Sequence, residues 1–237
     1  HAIVTDANNH DAYINLVNML TYVLFQEDNI RLQEIINTIL QKKNIVRPKD
    51  IASSIVSLLK NAPTIRENLV DRHCLSPMEN SQEVASELFS RSLLISLMKV
   101  CPLPDINIEN LMIRIRAGLL SSITQERFSL VCQKFQSALA LQCFTNEYIY
   151  EESEIERGQL EHLENKVKRC LEKGEQPITQ EILCLASYRP LHEYTWCEQL
   201  KNTDDVKEVY LRQVVEPAKE IQLKKEIPTL SNISNKV

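Results

Sequence analysis

Apolar residues along the chain recur every three or four positions rather than every second one, a pattern that predicts helices and no credible strand. From Tyr13 to Phe25, ten of thirteen side chains are apolar. Helical spacing then leaves almost no polar face and predicts a helix sandwiched between others. Asp28 is placed to cap a second helix over about 29–43. Its stripe is Ile35, Ile36, Ile39 and Leu40, and the basic pair Lys42-Lys43 suits the negative end of its dipole. Arg47-Pro48 opens a third helix with Ile51, Ile55, Leu58 and Leu59 inward. Thr64 with Glu67 has the form of a capping box for a short helix from 65 to about 72, before a loop around Ser76-Pro77. Asn80 with Glu83 repeats that signal for a long helix to about Val100, which Pro102 and Pro104 stop.

The second half continues in kind. Ile108, Leu111, Met112, Ile115 and Leu119 mark one helix, in which Gly118 permits close packing. Thr124 is placed to cap another that runs through Phe128, Val131, Phe135, Ala138 and Leu139. Ser153 with Glu156 forms a further capping box ahead of the stripe Leu160, Leu163, Val167 and Leu171, and Gly174 stands where a left-handed C-terminal glycine belongs. Thr179 is placed to cap the next helix. Segments near 180–188, 194–201, 204–215 and 218–226 follow, the last closed by Pro228. The reading is an all-α, irregular multi-helix domain of about ten to twelve helices, with no Rossmann sheet and no fixed repeat. Residues 1–12 read as a flexible lead-in, 13–101 and 105–226 as helical subdomains, and 227–237 as a linker toward a C-terminal domain. The segment Pro102 to Asn107 is the best internal boundary, although one core fits as well as two.

Composition narrows the classes of function. The 237 residues include only 3 Gly against 9 Pro, too few glycines for phosphate-cradling loops or a dinucleotide fingerprint, and no GxGxxG, Walker loop or nucleophile elbow occurs. A formal net charge of -5 and a pI near 5.7, with no basic stripe among aromatics, argue against nucleic acid as a partner. No apolar run reaches the roughly 20 residues that span a bilayer, and the N-terminus lacks a signal-peptide pattern. The 7 Cys are odd in number and scattered, which suits free thiols in a cytoplasmic protein better than a disulfide framework.

Candidate chemistry is sparse. No Cys pair has zinc-finger spacing, so no metal ligand set is read; Cys143, His162, His192 and Cys197 would meet only by tertiary accident. His73 and Cys74 are neighbours in sequence and read as a loop rather than a catalytic pair. Glu147, Glu151, Glu152, Glu154 and Glu156 crowd the start of one helix, where dipole and solvation explain them better than a glycosidase-type acid pair does. No residue is assigned as catalytic or cofactor-binding. Two segments stand out: Gln142 to Tyr150, which reads as a pocket lining or a helix end anchored by aromatics, and Tyr188 to Trp196, which gathers the only Trp, two Tyr, an Arg and a His around a proline turn. Their polar and aromatic residues Asn146, Glu147, Tyr148, Arg189, His192, Tyr194 and Trp196 are the interaction candidates.

At these segments the chain resembles a known family. Ala140-Leu141-Gln142-Cys143-Phe144-Thr145-Asn146-Glu147-Tyr148, Ser187-Tyr188-Arg189-Pro190-Leu191-His192, Arg212-Gln213-Val214-Val215-Glu216-Pro217 and Ile227-Pro228-Thr229-Leu230, in that order and spacing, are similar to the helical, pre-catalytic region of bacterial tetratricopeptide-repeat-type class I S-adenosylmethionine-dependent methyltransferases. Arg47-Pro48, Ala52 and Leu58-Leu59 match an earlier landmark, so the likeness spans about 13–237. The resemblance implies a non-catalytic accessory region for substrate or partner recognition or dimerisation, followed in the parent protein by a Rossmann-type domain that binds S-adenosylmethionine. The implied partner is that C-terminal catalytic domain or another protein. The alternative is a free-standing α-helical interaction module; a hydrolase with Cys and His assembled across helices is a third, less supported reading.

Overall fold

The computed structural model describes residues 10–41, 46–69, 76–200, 214–217 and 219. Among them are eleven α-helices and no strand: α1 (His10–Leu20), α2 (Ile30–Gln41), α3 (Pro48–Lys60), α4 (Pro63–Asn68), α5 (Ser81–Phe89), α6 (Ser92–Met98), α7 (Ile106–Ser122), α8 (Leu130–Thr145), α9 (Glu154–Glu172), α10 (Thr179–Ala186) and α11 (Cys197–Leu200), with a 3-10 turn at Leu191–Glu193 before the last. The all-α, multi-helix architecture expected from the periodicity is the one found.

The centre of the molecule is α8. Every side chain from Phe135 to Thr145 is buried, because this stretch has no polar face to offer solvent. Helices α5, α6 and α10 pack on α8, while α7 packs against α5, α9 and α10. One apolar cluster takes in Leu20, Ile36 and Leu59 from the first stretch, Ile115, Phe135 and Leu163 from the second, and reaches Val214 and Val215. Residues on both sides of Pro102-Leu103-Pro104 thus share a core. The fully buried Gln142 fastens that junction, its carboxamide donating to Met98 O (3.0 Å) and Cys101 O (3.1 Å) and accepting from Leu103 N (3.2 Å).

Gly118 is where a close approach demands it. The Met78 carbonyl lies against its Cα, and Met78 N–H donates to Arg114 O at 3.1 Å, so the segment before α5 rests directly on α7. Asp105 caps α7 by accepting from Asn107 N and Ile108 N, and its second oxygen pairs with Lys60 at 2.8 Å. The capping box of Ser153 and Glu156 is present at α9. At that helix's other end Gly174 has φ 71°, with Glu175 N donating to Cys170 O and Gly174 N to Leu171 O, the Schellman arrangement.

Several expectations are corrected. The helix expected to be sandwiched from Tyr13 to Phe25 ends at Leu20, and Met19, Tyr22 and Leu24 are exposed by 65%, 88% and 66%. Two side chains of α3 and the Asn61 that caps its C-terminus compete for this backbone: Ser54 donates to Leu20 O, Ser57 accepts from Phe25 N, and Asn61 donates to Phe25 O. The cap of α2 is Asn29, which accepts from Leu32 N, not Asp28, whose carboxylate takes the Gln33 amide. Helix α4 opens on Pro63 with Ala62 at the cap, and Thr64 accepts from Arg91 instead of closing a box. Asn80 precedes α5 but makes no capping hydrogen bond. The long helix expected from 80 to about 100 is two, since Arg91 and Ser92 fall where the stripe of Val84 and Leu88 would need apolar residues; the break lets α6 turn five apolar side chains inward. Ser129, not Thr124, caps α8, leaving Phe128 buried ahead of the helix. Thr179 is the first residue of α10, and Ile178 occupies its cap without a side-chain bond. The readings at 1–9, Lys42-Lys43, His73-Cys74, 204–213 and 220–237 lie outside the described residues.

Candidate functional site

The two segments that stand out in the sequence meet where α8 ends. Tyr148 N donates to Cys143 O at 2.8 Å and Glu147 N to Phe144 O at 3.1 Å, a Schellman termination with glutamate in the glycine position. Glu147 and Tyr148 accordingly both adopt positive φ, 61° and 56°. The Phe144 ring gathers the neighbourhood. Tyr148 meets it edge-on at 6.1 Å, and His192, from the 3-10 turn, tilts against it at 5.3 Å. Asn146 sits at the cap with both carboxamide atoms buried and no hydrogen bond of good geometry among the described residues, although it lies near the Tyr150 hydroxyl.

Beneath this turn is a buried polar cluster built on Arg116 of α7, 1% exposed. Its guanidinium donates to Glu151 O (2.9 Å) and, at 3.5 Å, to Tyr150 O and Ser187 O. It lies 4.0 Å from the Tyr188 ring centroid and 5.7 Å from that of Tyr150. The Glu156 carboxylate, 3.9 Å away, takes the Tyr188 hydroxyl at 2.7 Å on one oxygen and Ser153 on the other. One capping-box glutamate thereby joins α9, α7 and the segment that follows α10. Beside this cluster, Arg189 makes a two-pronged pair with Glu152, which holds the guanidinium pKa above its ordinary value against the effect of burial.

Burial pushes the Cys143 thiol up to about 11 and the Cys184 thiol up to about 12, outweighing the lowering effect of Arg116. It also raises both the Tyr150 and the Tyr188 phenol. In all four, burial favours the protonated form. The crevice among Arg116, Gln136, Cys184 and Ser187 is too tight for a water molecule. Among the described residues no group of three His, Cys, Asp or Glu is placed to hold a metal, and no helix is long and apolar enough to cross a membrane.

Of the seven interaction candidates, the end of α8 brings Asn146, Glu147 and Tyr148 together, with His192 across the Phe144 ring. Arg189 is engaged with Glu152. The rings of Tyr194 and Trp196 lie tilted against each other, centroids 5.7 Å apart, and Trp196 is only 8% exposed. Sequence reading missed Arg116 and gave no fold role to Gln142. The signal for Arg116 is its position four residues after Met112 and three before Leu119, which places a cation on the apolar stripe.

Fold and site together define an all-α domain whose most elaborate feature is a buried arginine-centred cluster under a helix end. In comparison with known proteins, no family, no curated protein and no solved structure matches the chain.

Proposed function

We propose that this chain is a non-catalytic helical accessory region of a larger bacterial, cytoplasmic S-adenosylmethionine-dependent methyltransferase, acting in substrate or partner recognition or in dimerisation. The observation that supports this reading is the convergence of the motif segments. Residues 140–148 and 187–192 meet at the rings of Phe144 and His192, and Ala140, Cys143, Tyr188 and Leu191 of those segments share the main core with Val214 and Val215 of the third, while Phe144, Leu141 and Tyr148 form a small patch of their own. Residues matched for separate reasons along the sequence thus form one unit. A second support is chemical: the buried glutamate, arginine and tyrosine of that unit are spent on one another, and its thiols are held protonated. In this reading S-adenosylmethionine is bound by the parent protein's catalytic domain, which is also the first partner expected for the surface around Asn146, Tyr148 and His192.

The test is made on the native product, recovered from its source cells with an antibody to this chain and irradiated with tritiated S-adenosylmethionine. The expected product is heavier than 27.4 kDa by a further domain of roughly 100–200 residues and carries the label, while isolated residues 1–237 do not. A native mass near 27.4 kDa without label, or micromolar cofactor binding by residues 1–237 alone, overturns the proposal; the first outcome leaves a free-standing interaction module.

A further inference from the structure

The end of α8 carries an apolar patch that stands apart from the main core, formed by the buried Leu141 and Phe144 with Tyr148 against them. Two aromatic side chains meet the Phe144 ring: Tyr148, edge-on, and His192, which leans over it at 5.3 Å. The 3-10 turn that carries His192 is held without that side chain. Glu193 N donates to Pro190 O (2.9 Å) and Tyr194 N to Leu191 O (3.1 Å), and the buried Leu191 anchors the turn in the main core. The imidazole has only a short way to water, its side chain being 23% exposed, yet its Nδ1 is buried with no hydrogen-bond partner among the described residues. A neutral ring tolerates that position, since one of its nitrogens carries no proton. An imidazolium carries an N–H on both, and one of them would then be buried without an acceptor. The charges around the ring do not repair this. From its own turn the Glu193 carboxylate stands 3.9 Å from Nε2, the other nitrogen, and is itself 67% exposed. The end of α8 offers the Tyr148 phenol and the exposed Glu147, and the last described residues bring Glu216 and Lys219, both exposed. Of these Lys219 acts on the ring, adding its positive charge to the effect of burial, so that the pKa lies below the ordinary 6.5 despite Glu193.

We propose that His192 is a proton-operated cover on this patch: neutral, the imidazole lies on Phe144 and closes it; protonated, it swings off the ring into water and leaves the Phe144 face open. The turn itself stays in place, because Leu191 and not His192 fixes it. Outside, both N–H groups are hydrated and the repulsion from Lys219 is screened. Mild acid thereby changes the surface around Asn146 and Tyr148 from one capped by an imidazole to one that presents an aromatic face. The device does not depend on the methyltransferase reading.

Hydroxyl-radical footprinting of the full chain, read residue by residue by mass spectrometry at pH 7 and pH 5 and normalised to the exposed Tyr22, tests this. In the wild type the oxidation of Phe144 should rise severalfold at pH 5, while Phe135, fully buried in the same helix, stays protected. His192→Gln, which takes up no proton, should keep Phe144 protected at both pH values. His192→Lys, charged throughout, should leave it open at both. A flat Phe144 rate in the wild type overturns the proposal, and so does an equal rise in His192→Gln, which would assign the change to other groups. A rise of Phe135 together with Phe144 also overturns it, since the event would then be general unfolding. Circular dichroism checks the fold of each variant. If His192→Gln does not fold, His192→Lys at pH 7 carries the test, and Phe144 as protected there as in the wild type counts against the cover.

Discussion

Arg116 is the side chain on which most depends. Its guanidinium serves three backbone carbonyls, one carboxylate and two aromatic faces while almost wholly removed from water. Replacing it by alanine leaves Glu156 buried without its cation, so Arg116→Ala should lower the urea-unfolding free energy by about 3–5 kcal/mol. A loss under about 1 kcal/mol would mean that water reaches the cluster in solution. His192 gives a pH signature. Burial is the main cause of its lowered pKa; Glu193 opposes the shift and Lys219 adds to it, while Phe144 supplies the apolar face. The folded protein therefore binds that proton less readily than the unfolded chain. The stability this neutral imidazole contributes is complete above the unfolded pKa near 6.5 and is lost as pH falls through and below it. Melts at pH 7 and pH 5 should show a smaller decline for His192→Gln than for the wild type, and parallel declines would assign the pH dependence to other groups.

Among the helices, the two glycines on regular backbone make opposite forecasts. Gly118→Ala drives a Cβ into the Met78 carbonyl and to 2.7 Å from Ser81 Cβ, so it should cost about 1–3 kcal/mol or more. Gly158→Ala meets nothing and should gain about 0.5–1 kcal/mol from helix propensity alone. Thermal melts of both settle the contrast. The same distinction explains what could be read from sequence. Interior stripes such as Leu160, Leu163 and Val167, the Ser153 box and the Gly174 terminus are local, set by residues within a turn of each other, and the structure holds them. Two of the misplaced boundaries, the stop at Leu20 and the start of α4, involve partners at long range, while others, such as the caps of α2 and α8, moved by one to five residues. Ser54, Ser57 and Asn61 take the backbone after Leu20 from more than thirty residues away, and Thr64 turns to Arg91 instead of to its own helix. At the candidate site the residue types were visible but their company was not. Phe144 and His192 are 48 positions apart, and Arg116 reaches carbonyls 34 to 71 positions away.

At the scale of the whole molecule, one main apolar cluster among the described residues takes in both stretches, with only the small patch of Leu141, Phe144 and Tyr148 apart from it, and it implies a single unfolding event. The thiols report on it. Cys101 and Cys184 lie on opposite sides of the proline-rich segment, are 5% and 2% exposed, and are each pushed up to about 12 by burial. In native protein treated with iodoacetamide, half-buried Cys170 should be alkylated well before either. With increasing urea, Cys101 and Cys184 should become reactive at one shared midpoint, read by peptide mass spectrometry; two separated midpoints would mean two independently melting units. The Gln142 carboxamide adds a consequence for dissection. Its three bonds cross from α8 to the backbone at Met98, Cys101 and Leu103, so proteolytic nicking between residues 102 and 105 would leave two pieces each missing part of the other's interior. Such pieces should be poorly folded apart and regain helical structure on mixing, which makes this proline stretch a natural seam for a split reporter.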